Sequence, residues 1–198
     1  MAHAHGHIEA GHDPGHESRN KKIALFISVL ALFLAISETL AKSAQTEALS
    51  ANVEASNLWA FFQAKTIRMT AIRTAAEALE IELAAADPAR REAIRKRIEN
   101  WRQTAARYDS EPETREGRRE LAARAKHAEE SRDRAMARYH HFEVSSAAFQ
   151  IAIVLASASI IANLMALVWG GAGLGLIGLA IMAFGQFAPN ALGLFGGH

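Results

Sequence analysis

The sequence predicts an all-α fold: an integral membrane protein with three transmembrane helices and an antiparallel, coiled-coil-like helical stalk between the first and second. Three observations predict it. From Val144 to His198 there is no Asp, Glu, Lys or Arg. A shorter charge-free run, Ile23 to Ser37, lies near the N-terminus. Between them, apolar residues recur in alternating steps of four and three, the period of a helical seam. A bilayer core takes roughly 20 apolar helical residues to cross, which makes a lipid bilayer the first partner implied.

Composition narrows the function classes. The chain has 198 residues, with 22 Lys and Arg against 21 Asp and Glu. Charge this balanced gives no global basic field, so no nucleic-acid partner is expected. The absence of cysteine excludes disulfides, thiolate metal sites and cysteine nucleophiles. Only Pro14, Pro88, Pro112 and Pro189 interrupt long intervals rich in Ala, Glu, Leu and Arg, which favours long helices.

Residues 1–21 read as a disordered tail, too polar to bury a core. His3, His5, His7, His12 and His16 give it a weak affinity for divalent transition metals, but their spacing matches no closed site. Arg19, Lys21 and Lys22 then lead into the first apolar run. A secretory signal is the rival reading. The run is long for one and its helical pattern continues, so 22–42 reads as transmembrane helix 1. Glu38 lies inside that span, where a carboxylate is costly. It precedes Lys42 by four residues, the favoured order for a helical ion pair, and that reading is preferred to an ion or proton role.

The stalk is expected over 43–142. Its outward arm, 43–86, carries a seam from Ala44, Ala48, Ala51 and Ala55 through Leu58, Phe62, Lys65 and Met69 to Ile72, Ala76, Leu79 and Leu83. Lys65 is the polar exception, expected to pack its stem while its amine reaches water. Asp87-Pro88 supplies an N-cap and a first-turn proline for the returning arm, 88–142. That arm has the seam Ile94, Ile98, Trp101, Ala105, Tyr108, a break near 109–111, and a new helix from Pro112. The seam resumes at Leu121, Ala125, Ala128, Arg132, Ala135, Tyr139 and Phe142, and passes through Ser146, Phe149 and Ile153 without losing phase. Stalk and second span therefore read as one helix. A compact three-helix bundle is the alternative, but it leaves the outward arm protruding.

Transmembrane helices 2 and 3 are expected over 143–169 and 172–190, with a turn at Gly170-Gly171 and a short tail, 191–198. Gly171 and Gly175 have the GxxxG spacing that lets membrane helices approach closely. Asn163 and Gln186 are polar groups in or near spans, read as bonding across helices rather than lining a path. His140-His141 reads as packing at the membrane edge rather than as a metal site. In the stalk, Trp59 and Phe61 project off the seam while Phe62 fills it. Exposed aromatic surface marks an interaction site, so contact with a second copy is the first expectation there, ahead of contact with a protein partner or a membrane surface and of packing within the stalk.

Several stretches carry a resemblance. They are Ser37-Glu38-Thr39-Leu40 with Lys42 to Thr46, Glu54 to Trp59 through Phe62 to Arg68, Ser110 to Thr114, Ala137 to His141, and Ser145 to Gln150. The chain resembles the bacterial membrane-protein family of domain of unknown function 4337, from about residue 22 to 189. The resemblance implies an integral membrane protein, a His-rich N-terminal tail and no assigned activity.

Three functions are compatible with these residues. The first is a non-enzymatic, self-associating scaffold or interaction protein. The second is an oligomeric channel or transporter subunit using Glu38, Asn163 and Gln186. The third is metal handling through the His-rich tail. No nucleophile–base pair or phosphate-binding glycine loop is visible, and no cofactor is implied. The expected setting is a bacterial inner membrane. Arg19, Lys21 and Lys22 favour a cytoplasmic N-terminus; Arg132, Arg134 and Arg138 argue the opposite.

Overall fold

The computed structural model describes residues 14–189, and these form four helices joined by short connections. Helix α1 spans Pro14–Ala85, α2 Pro88–Asp109, α3 Arg118–Ala162 and α4 Met165–Phe187. Among the described residues there is no strand. No glycine or proline occurs from His16 to Ala86, so nothing interrupts α1. Helix α3 is likewise unbroken across the end of its charged stretch, as its seam predicts.

Asp87 separates α1 from α2 as expected. Pro88 holds it extended (φ −68°, ψ 158°), and its Oδ1 accepts hydrogen bonds from the backbone of Ala89 and Arg90, each 3.0 Å long.

Three boundaries differ from expectation. Helix α1 begins at Pro14, inside the stretch expected to be disordered; proline suits a first turn, and Glu17 pairs with Lys21 at 2.6 Å. The break in the returning arm is longer than 109–111. Pro112 does start a turn, closed by Arg115 N donating to Glu111 O (3.0 Å). Arg115 then enters the left-handed region (φ 56°), so helix resumes only at Arg118. The last turn is not at Gly170-Gly171. It falls at Asn163 (φ 54°) and Leu164, because asparagine also tolerates the left-handed conformation. Of the sequence predictions, His3, His5, His7, His12 and the tail 191–198 lie outside the described residues, as does the side chain of His16.

The described chain divides into two units, and α1 and α3 contribute to both. One contains residues up to Ala44 and from Ala137 onwards; the other is Gln45–Met136. Within the second, contacts run in antiparallel order. Glu82 meets Arg90, Glu80 meets Arg102, Lys65 faces Tyr108, Phe62 lies under Arg118, and Trp59 bonds Glu129. Along α1 the numbers fall as the returning numbers rise. That order fits a two-arm arrangement rather than a three-helix bundle. Every predicted seam position in this unit is buried or half-buried. Ala55, Leu58, Leu121, Ala125 and Ala128 form its core, with Trp59 and Phe62 against it.

Within the first unit, Leu30, Phe149 and Ala152 form one apolar cluster and Ala41, Ala44 and Phe142 another. The glycines of α4 serve packing. Gly171, Gly175, Gly178 and Gly185 are buried on one face. A Cβ on Gly171 would lie 2.9 Å from the Ala152 carbonyl oxygen, and one on Gly178 would lie 3.1 Å from the Phe149 ring. Only hydrogen lets these backbones come so near.

Candidate functional site

In the Gln45–Met136 unit, the stretch Trp59 to Lys65 and the turn 110–117 build one polar and aromatic cluster. Lys65 is 6% exposed. Its Nζ lies 5.4 Å from the Phe61 ring centroid, 5.2 Å from that of Tyr108, and 3.9 Å from Glu116 Oε2. This corrects the expectation that its amine reaches water. The end of α2 and the turn close over it, and two ring faces stand in for solvent.

Arg118 carries the second cation. Its Cζ sits 5.1 Å from the Phe62 centroid, and Nη1 donates to Asp109 Oδ1 at 3.3 Å. Asp109 Oδ2 takes Arg119 at 2.8 Å. Phe62 meets Trp59 edge to face, with centroids 5.4 Å apart at 84°. Trp59 Nε1 donates to Glu129 Oε1 at 2.8 Å. Trp59 and Phe62 are thus packed inside this unit, and Phe61 keeps an exposed edge.

The turn is fastened by carboxylates. Glu120 Oε1 accepts from Ser110 Oγ at 2.6 Å, and Oε2 accepts from Glu111 N at 3.2 Å. The hydrogen bond from Ser110 holds the Glu120 carboxyl below the usual carboxylate range. Glu111 accepts from Arg107 (2.8 Å) and from Thr114 (3.0 Å), and these bonds, Arg107's first, lower its carboxyl too. Gly117 caps α3, its carbonyl accepting from Leu121 N at 2.9 Å. A side chain there would strike the Glu120 carboxylate and the Glu111 backbone. Chemically, this cluster can clamp a bend and hold two cations against rings. It presents no nucleophile paired with a base.

The other unit has small and polar groups inside. Ser37 Oγ donates to Phe142 O (2.9 Å) and Ser145 Oγ to Gly178 O (2.8 Å), both buried. His141 is buried, with Nδ1 2.8 Å from Ala137 O, while His140 lies 3.6 Å from Glu143. Sequence reasoning missed both serine bonds, because their acceptors are carbonyls far along the chain. Glu38 takes a hydrogen bond from Gln150 Nε2 at 3.4 Å, a partner the sequence reading did not assign. Asn163 Oδ1 accepts from Arg19, tying the turn to α1. Gln186 is exposed near the end of α4. Among the described residues no group of three His, Asp or Glu could hold a metal ion.

Outside, this unit is apolar. Val154 is 65%, Ile161 89% and Leu176 67% exposed, and Leu25, Leu32 and Phe187 are exposed with them. The fold and its surface define an all-helical protein in which three helices are long and apolar enough to cross a membrane. The chain belongs to the family described as Domain of unknown function (DUF4337), which matches residues 19–188. No curated protein and no solved structure matches it.

Proposed function

We propose that this is a non-enzymatic integral membrane protein that self-associates and organises partners through its charged helical unit. One observation carries the reading. The unit built from both ends of the chain packs Leu30, Phe142 and Phe149 together with buried serines and glycines, and shows large aliphatic side chains outside. Water disfavours such a surface; hydrocarbon does not, and helices in hydrocarbon associate through small residues and interhelical hydrogen bonds. A bacterial inner membrane is the setting that the family resemblance implies, and Arg19, Lys21 and Lys22 favour an N-terminus on the cytoplasmic side.

Alkaline carbonate extraction of membranes tests the anchoring. The full chain is expected in the pellet and, once solubilised, to need detergent or lipid to stay dispersed. Release into the carbonate supernatant would contradict it. Mass measurement in nanodiscs tests self-association: more than one copy per particle is expected, and single copies throughout would contradict it.

A further inference from the structure

The outward helix α1 carries a second stripe that none of the described residues covers. Two positions beyond the seam residues Ala51, Leu58, Lys65, Ile72 and Leu79 lie Val53, Ala60, Ile67, Thr74 and Ile81. Two residues are about 200° of helix, so this stripe faces away from the seam. All five are exposed, and so are Leu49, Ser56, Gln63, Thr70 and Glu77, which complete the four-and-three pattern. Leu49 is 62%, Val53 54%, Ile67 69% and Ile81 78% exposed.

Charge separates this face from the rest of its unit. From Leu49 to Thr74 the stripe carries no charged residue, and the flanking Asn52, Asn57, Ala64, Thr66 and Ala71 are uncharged. The exposed surface of α2 carries Arg90, Arg91, Arg95, Lys96 and Arg97 against Glu92 and Glu99, and that of α3 Arg119, Arg124, Lys126 and Arg134 against Glu130 and Asp133. Surfaces with an excess of positive charge repel their own copies; a stripe uncharged from Leu49 to Thr74 does not.

We propose that a second copy of this chain docks along this stripe, parallel and in register. The proposal rests on the membrane reading, since two copies anchored in one bilayer through the same N-terminal part of α1 enter the stripe with the same chain direction. From Leu49 to Ile81 the stripe runs for about 48 Å at the standard helical rise. A contact strip about 10 Å wide, roughly one helix diameter, covers about 500 Å² per copy. The pair then buries about 1,000 Å², the lower bound of a specific interface. Confinement to one bilayer raises the effective concentration, so a contact of that size suffices.

The cysteine-free chain allows a direct test. Ala60→Cys and Ile67→Cys, on the stripe, are compared with Lys126→Cys on α3, each in the full chain in native membranes under copper-phenanthroline oxidation. Disulfide-linked dimer is expected from most of the Ala60→Cys and Ile67→Cys protein and from less than about a tenth of Lys126→Cys. No dimer from the stripe, or equal dimer at all three positions, would overturn the proposal. So would cross-linking of Ile67→Cys to a different protein without homodimer. Ile67→Asp, at an exposed site, is expected to keep its helicity and halve the particle mass in nanodiscs; an unchanged mass would also overturn it. Carbonate extraction of the same membranes separates the two readings. A chain that stays in the pellet without cross-linking defeats the stripe alone, whereas a chain in the supernatant defeats the membrane anchoring.

Discussion

The two units of this chain differ most in what they show outside and in how closely their backbones approach. In the Gln45–Met136 unit, Leu58, Leu121, Phe62 and Trp59 fill the interior and arginines cover the outside of α2 and α3. In the other, the buried face of α4 is four glycines, Ser37 and Ser145 bond backbone carbonyls, and Ile161 and Leu176 face outward. The same two long helices run through both. The difference therefore lies not in secondary structure but in the surface each unit presents and in the small residues at its contacts. Both interiors hold large side chains, Leu58 and Leu121 in one and Leu30, Phe142 and Phe149 in the other. The unit with the apolar surface adds a glycine face and buried serine bonds, the kind of contact by which helices associate in hydrocarbon.

The largest expected effect is on the glycine face. Gly171→Leu drives a side chain into the Ala152 carbonyl, a backbone group that cannot turn aside. A loss of about 3 kcal/mol is expected in detergent unfolding. Gly173→Leu, where nothing lies within 4 Å of the added carbon, should match the parent. Equal losses at both positions would break the comparison. Next is Lys65→Glu, which sets an acid among Phe61, Tyr108 and Glu116. Burying that charge without a cation should cost about 3 kcal/mol in the charged unit, read from its thermal transition. Lys65→Met keeps the volume and should stay within about 1.5 kcal/mol.

Smaller effects sharpen the picture. Asp87→Ala removes the acceptor for two backbone donors and should cost about 1 kcal/mol. The turn 110–117 should respond to acid. The carboxyls of Glu111 and Glu120 sit below their ordinary range in the folded chain, so they contribute stability at neutral pH. That contribution is lost as pH falls through the depressed folded values. Amide exchange at 110–117, corrected for intrinsic rates, should accelerate there, and Glu120→Gln should flatten the response. Exchange unchanged down to strongly acid pH would show that the clamp does not depend on these charges.

Much of this architecture was legible in the sequence because periodicity is a local signal. The seam from Ala44 to Leu83 predicts which side of α1 is covered, and no member of it is exposed. Asp87-Pro88 announces its own cap. Two of the three misplaced boundaries share one cause. Arg115 and Asn163 take left-handed backbone conformations, whereas the search for turns looked to Pro112 and to Gly170-Gly171. Those glycines are helical, and their neighbour Gly175 is buried by helices distant in sequence. The cluster was half legible. The aromatic run drew notice, but that Trp59 is bonded to Glu129 and Lys65 enclosed by Tyr108 depends on long-range pairing.

The apolar outer surface of the first unit is tested most directly by a spin label at Val154 in the reconstituted full chain. Its relaxation is compared under lipid-soluble oxygen and a water-soluble nickel chelate, with a label at Arg134 as reference. Oxygen should dominate at Val154 and the nickel chelate at Arg134. Dominance of the nickel chelate at Val154 would place that surface in water and contradict the account.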